Sequence, residues 1–152
     1  MLPSVQPIAP IRRTEPFDDP EWVFDLKYDG FRGICYLEQG CCRMISRNGN
    51  SMSRFDGLGD AILDGEVIAP DKTGRPQFYD LLRATRAPVY VAFDLIWLNG
   101  ADLRALPLTE RRQHLQNILP KGSAIVGEAL SVRGRGSRLF ELMCAHALSP
   151  SA

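Results

Sequence analysis

Lys27 follows an apolar run that includes Val23, Phe24 and Leu26, and it precedes an Asp29-Gly30 pair. The pattern reads as a strand, residues 21–28, running into a tight turn. A lysine held there can lay its stem on the sheet and keep its ammonium in water. It can also be a nucleophile, because partial burial readily shifts the lysine pKa. Composition favours the second reading, since the chain has only three lysines (Lys27, Lys72, Lys121) against fifteen arginines. Arginine cannot be deprotonated in a protein and so cannot attack phosphorus. A chain that otherwise uses arginine has kept lysine here.

Two further stretches hold residue types suited to a phosphorylated sugar, and a third places an aromatic ring in a strand. In Ser46-Arg47-Asn48-Gly49 an arginine stands before a turn, where it either meets solvent or forks its guanidinium onto a ribose or phosphate oxygen. In Leu63-Asp64-Gly65-Glu66-Val67 an apolar strand is interrupted by Asp-Gly-Glu. That interruption is a bulge with an exposed glutamate, or a carboxylate placed beside a missing side chain for close approach to a sugar hydroxyl or a metal-bound water. Phe93-Asp94-Leu95 lies inside the near-continuous apolar run 89–98; by itself Phe93 reads as core.

The elements that must position these residues follow from periodicity. After a lead-in over residues 1–20 with five prolines, strands are expected at 21–28, 31–37 and 41–46, forming a three-stranded antiparallel meander. Further strands are expected at 61–69, 89–98 and 124–129, the second central and closed by an Asn99-Gly100 hairpin turn. Helices are expected at 78–84, at 109–119 with Thr109 as N-cap, and at 137–148 with Leu139, Phe140, Met143 and Ala147 turned inward. Arg111, Arg112 and Gln113 read as a solvated helix face, and Arg133-Gly134-Arg135-Gly136 as a small basic turn. The fold class is α+β, with antiparallel sheets and flanking helices.

The chain of 152 residues is 45% hydrophobic and 24% charged, which fits one globular domain with a core. Formal net charge is zero, which argues against an autonomous high-affinity DNA clamp, because such affinity is mostly phosphate neutralisation. No apolar run is long enough to cross a membrane and no signal peptide stands at the N-terminus. Cys35, Cys41, Cys42 and Cys144 form no Cys-x-x-Cys pair. They read as reduced, buried, structural thiols of a cytoplasmic protein. His114 and His146 fall in expected helices away from other ligand types, and no metal ligand set is assigned.

Lys27-Tyr28-Asp29-Gly30-Phe31-Arg32 resembles the Lys-x-Asp-Gly-x-Arg motif of the covalent nucleotidyltransferases, which comprise ATP-dependent DNA ligases, RNA ligases and capping enzymes. Ser46 to Gly49, Asp64 to Glu66 and Phe93 to Leu95 resemble that superfamily's following motifs, in the same order. The continuation from Phe93 through Leu106-Pro107-Leu108 to Glu110-Arg111-Arg112 is similar to the ligase domain of bacterial end-joining ligases. The resemblance implies that Lys27 attacks the α-phosphate of ATP, with Mg2+, to form a lysyl-adenylate. It further implies that Asp25, Arg32 and Arg47 lie at the nucleotide, that Glu66 meets the ribose, and that Phe93 stacks on adenine. The adenylate would pass to a 5′-phosphate of nicked or broken DNA in repair or recombination.

The resemblance also implies elements that this chain of 152 residues lacks: a metal-binding carboxylate, lysines for the triphosphate and an OB-fold domain. Residues 21–148 are therefore expected to form a partial adenylation domain, with a tail at 149–152 and full ligation beyond its means. The connection from Gly49 to Asp64 is also shorter than the family's, which predicts a missing helix and an exposed strand edge. Three readings follow: a self-adenylating enzyme, a non-catalytic nucleotide-binding remnant, and a half completed by a second chain that supplies strands and the OB-fold.

Overall fold

The computed structural model describes residues 1–45 and 59–147. The chain divides into two units, one of Met1–Pro7 and Tyr28–Glu128, the other of Ile8–Lys27 and Ala129–Ala152. The division falls between Lys27 and Tyr28, inside the first motif.

The first unit is built on a sheet of β2 (Phe31–Glu38), β3 (Cys41–Ile45), β4 (Ala61–Ile68), β5 (Val89–Leu98), β6 (Ala101–Asp102) and β7 (Val126–Glu128). The order runs β3-β2-β4-β5, and β5 also pairs with β6 and β7. All pairings are antiparallel except β5 with β7, which is parallel. The long apolar run thus becomes a central strand, as its composition predicts. Asn99 and Gly100 both take positive φ, the conformation that a two-residue hairpin turn into β6 requires. Gly30 is needed for a different reason: a Cβ there would meet the Val67 carbonyl and come within 2.9 Å of the Ile68 side chain.

Two helices belong to this unit, α1 (Phe78–Leu82) and α2 (Leu108–Ile118). Leu115 of α2 joins Cys35, Leu37, Leu63, Tyr90 and Leu95 in the main buried cluster. A smaller cluster of Ile34, Tyr36 and Ile62 is covered by Leu2 and Val5. Val5 N donates to the Tyr36 hydroxyl at 3.0 Å, which ties the proline-rich lead-in to the sheet at its first residues. Pro107 occupies the N-cap position of α2 without a side-chain cap bond, so the helix begins before Thr109, the expected cap.

In the second unit β1 (Val23–Asp25) pairs antiparallel with β8 (Ser131–Arg133), and α3 (Gly136–Ala147) packs on both. The expected meander is therefore corrected. β2 pairs with β3 and β4, while β1 finds its partner near the other end of the sequence. Phe17 lies edge-on to Trp22 and Phe24, with ring centroids 5.3 and 5.0 Å apart. Gly136 admits this packing, because a Cβ there would overlap Phe17 O and the Phe24 ring. Asp18 accepts a hydrogen bond from Ser137 N at 2.9 Å and so supplies the cap at the start of α3.

Burial also departs from expectation. Phe140 and Met143, expected inward, are exposed, whereas Leu139 is half-buried. Only Cys35 and Cys42 are buried thiols; Cys41 is exposed and Cys144 is half-buried. Cys35 and Cys42 stand 2.7 Å apart, Sγ to Sγ. Their hydrogen bond, with burial added, pushes the Cys35 thiol well up, and the same bond lowers Cys42 against the cost of burial. Among the described residues no helix is long and apolar enough to cross a membrane.

Candidate functional site

Arg32, Glu66 and Phe93 come together on the β2–β4–β5 part of the sheet. Arg32 and Glu66 are direct partners in the β2–β4 register, and the Arg32 guanidinium carbon is 5.4 Å from the centroid of the Phe93 ring, within cation–π range. Asp64 holds that guanidinium with two bonds, Nε to Oδ1 at 3.1 Å and Nη2 to Oδ2 at 2.7 Å. The pair is asymmetric, with the Asp64 side chain 5% exposed and Arg32 33% exposed. One edge of the guanidinium is thus fixed while part of the cation still faces water. The Asp64 hydrogen bond raises the Arg32 pKa against the opposing cost of desolvation, and the Glu66 charge adds to the rise.

The backbone beneath is shaped to let this happen. Gly33 and Gly65 face each other across β2 and β4, and Tyr90 fills the space that the missing Gly65 side chain leaves. Its hydroxyl lies 2.9 Å from Gly33 O and 3.1 Å from Leu63 O, both acceptors for its single proton. A Cβ on Gly65 would come within 2.6 Å of the tyrosine ring and would overlap Val91 O. The glycine of Asp64-Gly65-Glu66 is thus explained by a buried tyrosine. Burial pushes the Tyr90 phenol well up, so it remains a neutral donor.

Phe93 sits at an irregularity in β5. Along β4 the partner of Asp64 is Asp94 and the partner of Gly65 is Ala92, so the register passes over Phe93. A bulge of this kind turns one side chain out of the alternation and is a recurrent feature beside functional sites. Asp94, next to it, is buried and paired with Arg111 of α2, Nε to Oδ1 and Nη2 to Oδ2 both at 2.8 Å. Arg111 also donates to Leu106 O at 2.6 Å, and the Asp94 pair raises its pKa. Arg112 is 7% exposed and donates from Nε to the Phe93 carbonyl at 3.0 Å. The expectation that these arginines form a solvated face is overturned: a half-buried and a buried guanidinium need partners, and Asp94 and Phe93 provide them.

The remaining expected residues are distributed differently. Asp25 ends β1, opposite Ser131, and Lys27 follows two residues later with an exposed side chain. The strand expected at 21–28 thus stops short of the lysine. Leu26 N still bonds Leu130 O at 2.9 Å, which fixes the backbone just ahead of Lys27. Both residues belong to the second unit. Arg47 and its Ser46 to Gly49 motif lie outside the described residues.

The residues that sequence reasoning passed over are Asp64, Tyr90, Asp94, Arg111 and Arg112. Two of them carried a signal. Asp64 and Asp94 are carboxylates inside largely apolar strands, and a carboxylate buried there calls for a cation.

The ATP dependent DNA ligase domain family matches residues 5–137. The chain belongs to that family. It is 37% identical over 114 residues to the multifunctional non-homologous end joining protein LigD of Pseudomonas aeruginosa, an alignment covering 65% of this chain and 14% of that protein. To the SPbeta prophage-derived DNA ligase-like protein LigB of Bacillus subtilis it is 32% identical over 142 residues, 84% of this chain and 52% of that one. The ligase domain of Mycobacterium tuberculosis LigD has the same fold, with a TM-score of 0.67 at 24% identity, covering 83% of this chain and 45% of that domain. A mycobacterial DNA ligase D complexed with ATP and MES superposes with a TM-score of 0.63 at 23% identity, over 82% of this chain and 44% of that one. The chain thus spans about half, or less, of the length of these relatives.

The family is ATP-dependent, and the donor set suits a purine nucleotide. A half-buried ring, a half-buried carboxylate and a partly exposed guanidinium stand side by side at Phe93, Glu66 and Arg32. A divalent metal is served less well. Among the described residues no three histidine, cysteine or acidic side chains gather, and Asp64 and Asp94 are held by arginines.

Proposed function

We propose that residues 21–148 act as an adenylation domain of a DNA end-joining ligase, taking AMP from ATP onto Lys27. The observation that carries this reading is the Arg32–Glu66–Phe93 grouping, formed by residues of three of the four family motifs on adjoining strands. In the proposed step Lys27 Nζ, having given its ammonium proton to solvent, bonds to the α-phosphorus and releases a second proton to solvent as the phosphoramide forms. The bond from that phosphorus to the bridging oxygen breaks, and pyrophosphate leaves. Phe93 stacks on adenine, Glu66 accepts from the ribose hydroxyls, and Arg32, with Arg47 and Asp25, lies at the nucleotide. Positioning and charge neutralisation supply most of the catalysis in such transfers. Mg2+ would neutralise the triphosphate as its counter-ion. The AMP would then pass to a 5′-phosphate of broken or nicked DNA in the cytoplasm, and a 3′-hydroxyl would displace it.

The test is labelling with ATP radioactive at the α-phosphate, with magnesium, on a denaturing gel beside Lys27→Ala. An acid-labile band in the wild type alone supports the proposal. No band from folded wild-type protein contradicts it and leaves the non-catalytic remnant.

A second reading has one observation in its favour. Leu130, Val132, Phe140 and Leu142 of the second unit are exposed apolar side chains, and a two-stranded ribbon is marginal alone. Another chain that adds strands and the OB-fold would cover them. ATP binding that strengthens sharply with a ligase C-terminal fragment supports that reading; unchanged binding contradicts it.

A further inference from the structure

The two arginines of α2 do work that the adenylation chemistry does not require of them directly. Phe93 is passed over in the β4 register, and the β7 pairing stops one residue before it, at Ala92. The residue that carries the ring therefore has no register partner on β4 or on β7. Arg112 Nε donates to its carbonyl at 3.0 Å, and Arg111 clamps the next side chain, Asp94, through two 2.8 Å bonds. Asp94 in turn accepts from Leu95 N at 2.8 Å, which closes the turn of backbone behind the ring. The helix that delivers both guanidinium groups is anchored by the fully buried Leu115.

We infer that Arg112, seconded by Arg111, is a positioning residue for purine recognition: it fixes the bulged Phe93 backbone and so sets the angle at which the ring meets a base. The inference rests on the proposal that Phe93 stacks on the adenine of ATP. A ring on an unpinned bulge still presents its surface, but it must be ordered on binding. That ordering lowers affinity even though no nucleotide contact has been removed. The helix also explains why two arginines adjacent in sequence are needed. One bonds the main chain of Phe93, and the other bonds the side chain of the following residue, so the peptide between them cannot rotate.

The experiment is a double-mutant cycle on ATP dissociation constants of the full chain, with magnesium chelated so that no turnover occurs. Its members are Phe93→Ala, Arg112→Met and the double variant, with folding of each checked by a cooperative melt. Phe93→Ala and Arg112→Met should each weaken ATP by about tenfold, and the double variant should be no weaker than Phe93→Ala. A merely structural arginine would weaken the double variant further, and that additivity would overturn the inference. So would wild-type affinity in Arg112→Met. If Phe93→Ala itself binds ATP normally, the stacking reading fails first and takes the inference with it, a result distinct from either of these. Should Arg112→Met not fold, Arg112→Lys and Arg111→Lys replace it in the same cycle. They keep the charge but lose the fork, and they are expected to weaken ATP severalfold in the Phe93 background only; an equal loss in both backgrounds overturns the inference.

Discussion

Tyr28–Glu128 and Ile8–Lys27 with the C-terminal helix show two ways in which a short chain presents chemistry. In the first region Arg32, Arg111 and Arg112, the arginines near Phe93, are each tied down. Asp64 holds Arg32, Asp94 holds Arg111, and Arg112 holds a carbonyl, all over a core of Tyr90, Leu63, Leu95 and Leu115. In the second region a two-stranded ribbon carries exposed Trp22 and Leu130, and Lys27 lies just past the end of its strand. Recognition of a planar base needs a surface that does not rearrange, and the fixed arginine network provides one. Attack on phosphorus needs a side chain that can travel, and an exposed lysine beyond a strand end meets that need. Under the proposed function, nucleotide selection falls to the first region and covalent capture to the second.

Substitutions can break or sharpen this contrast. The largest expected effect on stability is from Asp94→Ala. It leaves the Arg111 guanidinium without its carboxylate, and a stranded charge of this kind costs about 3–5 kcal/mol. Urea unfolding followed by tryptophan fluorescence should show that loss. A shift well below 1 kcal/mol would mean that the network is ornamental. Tyr90→Phe comes next: Gly33 O and Leu63 O lose their shared donor, for about 1–3 kcal/mol by the same measurement. Phe140→Ala on α3 should change unfolding by no more than about 0.5 kcal/mol, because the side chain is already exposed. A large loss there would show that the second region is as tightly packed as the first.

The smallest effect is expected from acid. Asp102, bonded by Arg104, has its carboxyl lowered to about 2. A carboxylate with a lowered folded pKa stabilises above its unfolded value, and that contribution fades as pH falls through about 2. Carbon-detected NMR titration should find Asp102 still ionised at pH 3. A midpoint near the ordinary carboxylate value would contradict the pairing.

Much of the first region could be read from local pattern, for physical reasons. Strand β5 coincides with the apolar run 89–98 because burial on both faces removes any need for alternation. The Asn99-Gly100 turn follows from the positive φ that those residues tolerate. Non-local pairing was not legible: β1 pairs with β8 at the far end of the sequence, which no window of neighbouring residues encodes. The arginines of α2 were misread because Glu110-Arg111-Arg112-Gln113 looks like any solvated helix face. Their burial is set by partners on another element, Asp94 for Arg111 and the Phe93 carbonyl for Arg112. α3 misled in the opposite direction: its amphipathic spacing suggested inward Phe140 and Met143, yet both remain exposed. At the site, Arg32, Glu66 and Phe93 were found by motif. The buried tyrosine that makes Gly65 necessary was invisible until Tyr90 was seen beneath it.

One measurement tests the division of roles most directly: ATP dissociation constants and α-phosphate labelling determined together for wild type, Lys27→Ala and Phe93→Ala. The account predicts that Lys27→Ala binds ATP as the wild type does but takes no label. Phe93→Ala should bind about tenfold more weakly and still take label at saturating ATP. Lost binding in Lys27→Ala, or unchanged binding in Phe93→Ala, would contradict the claim that the sheet selects the nucleotide and the lysine captures it.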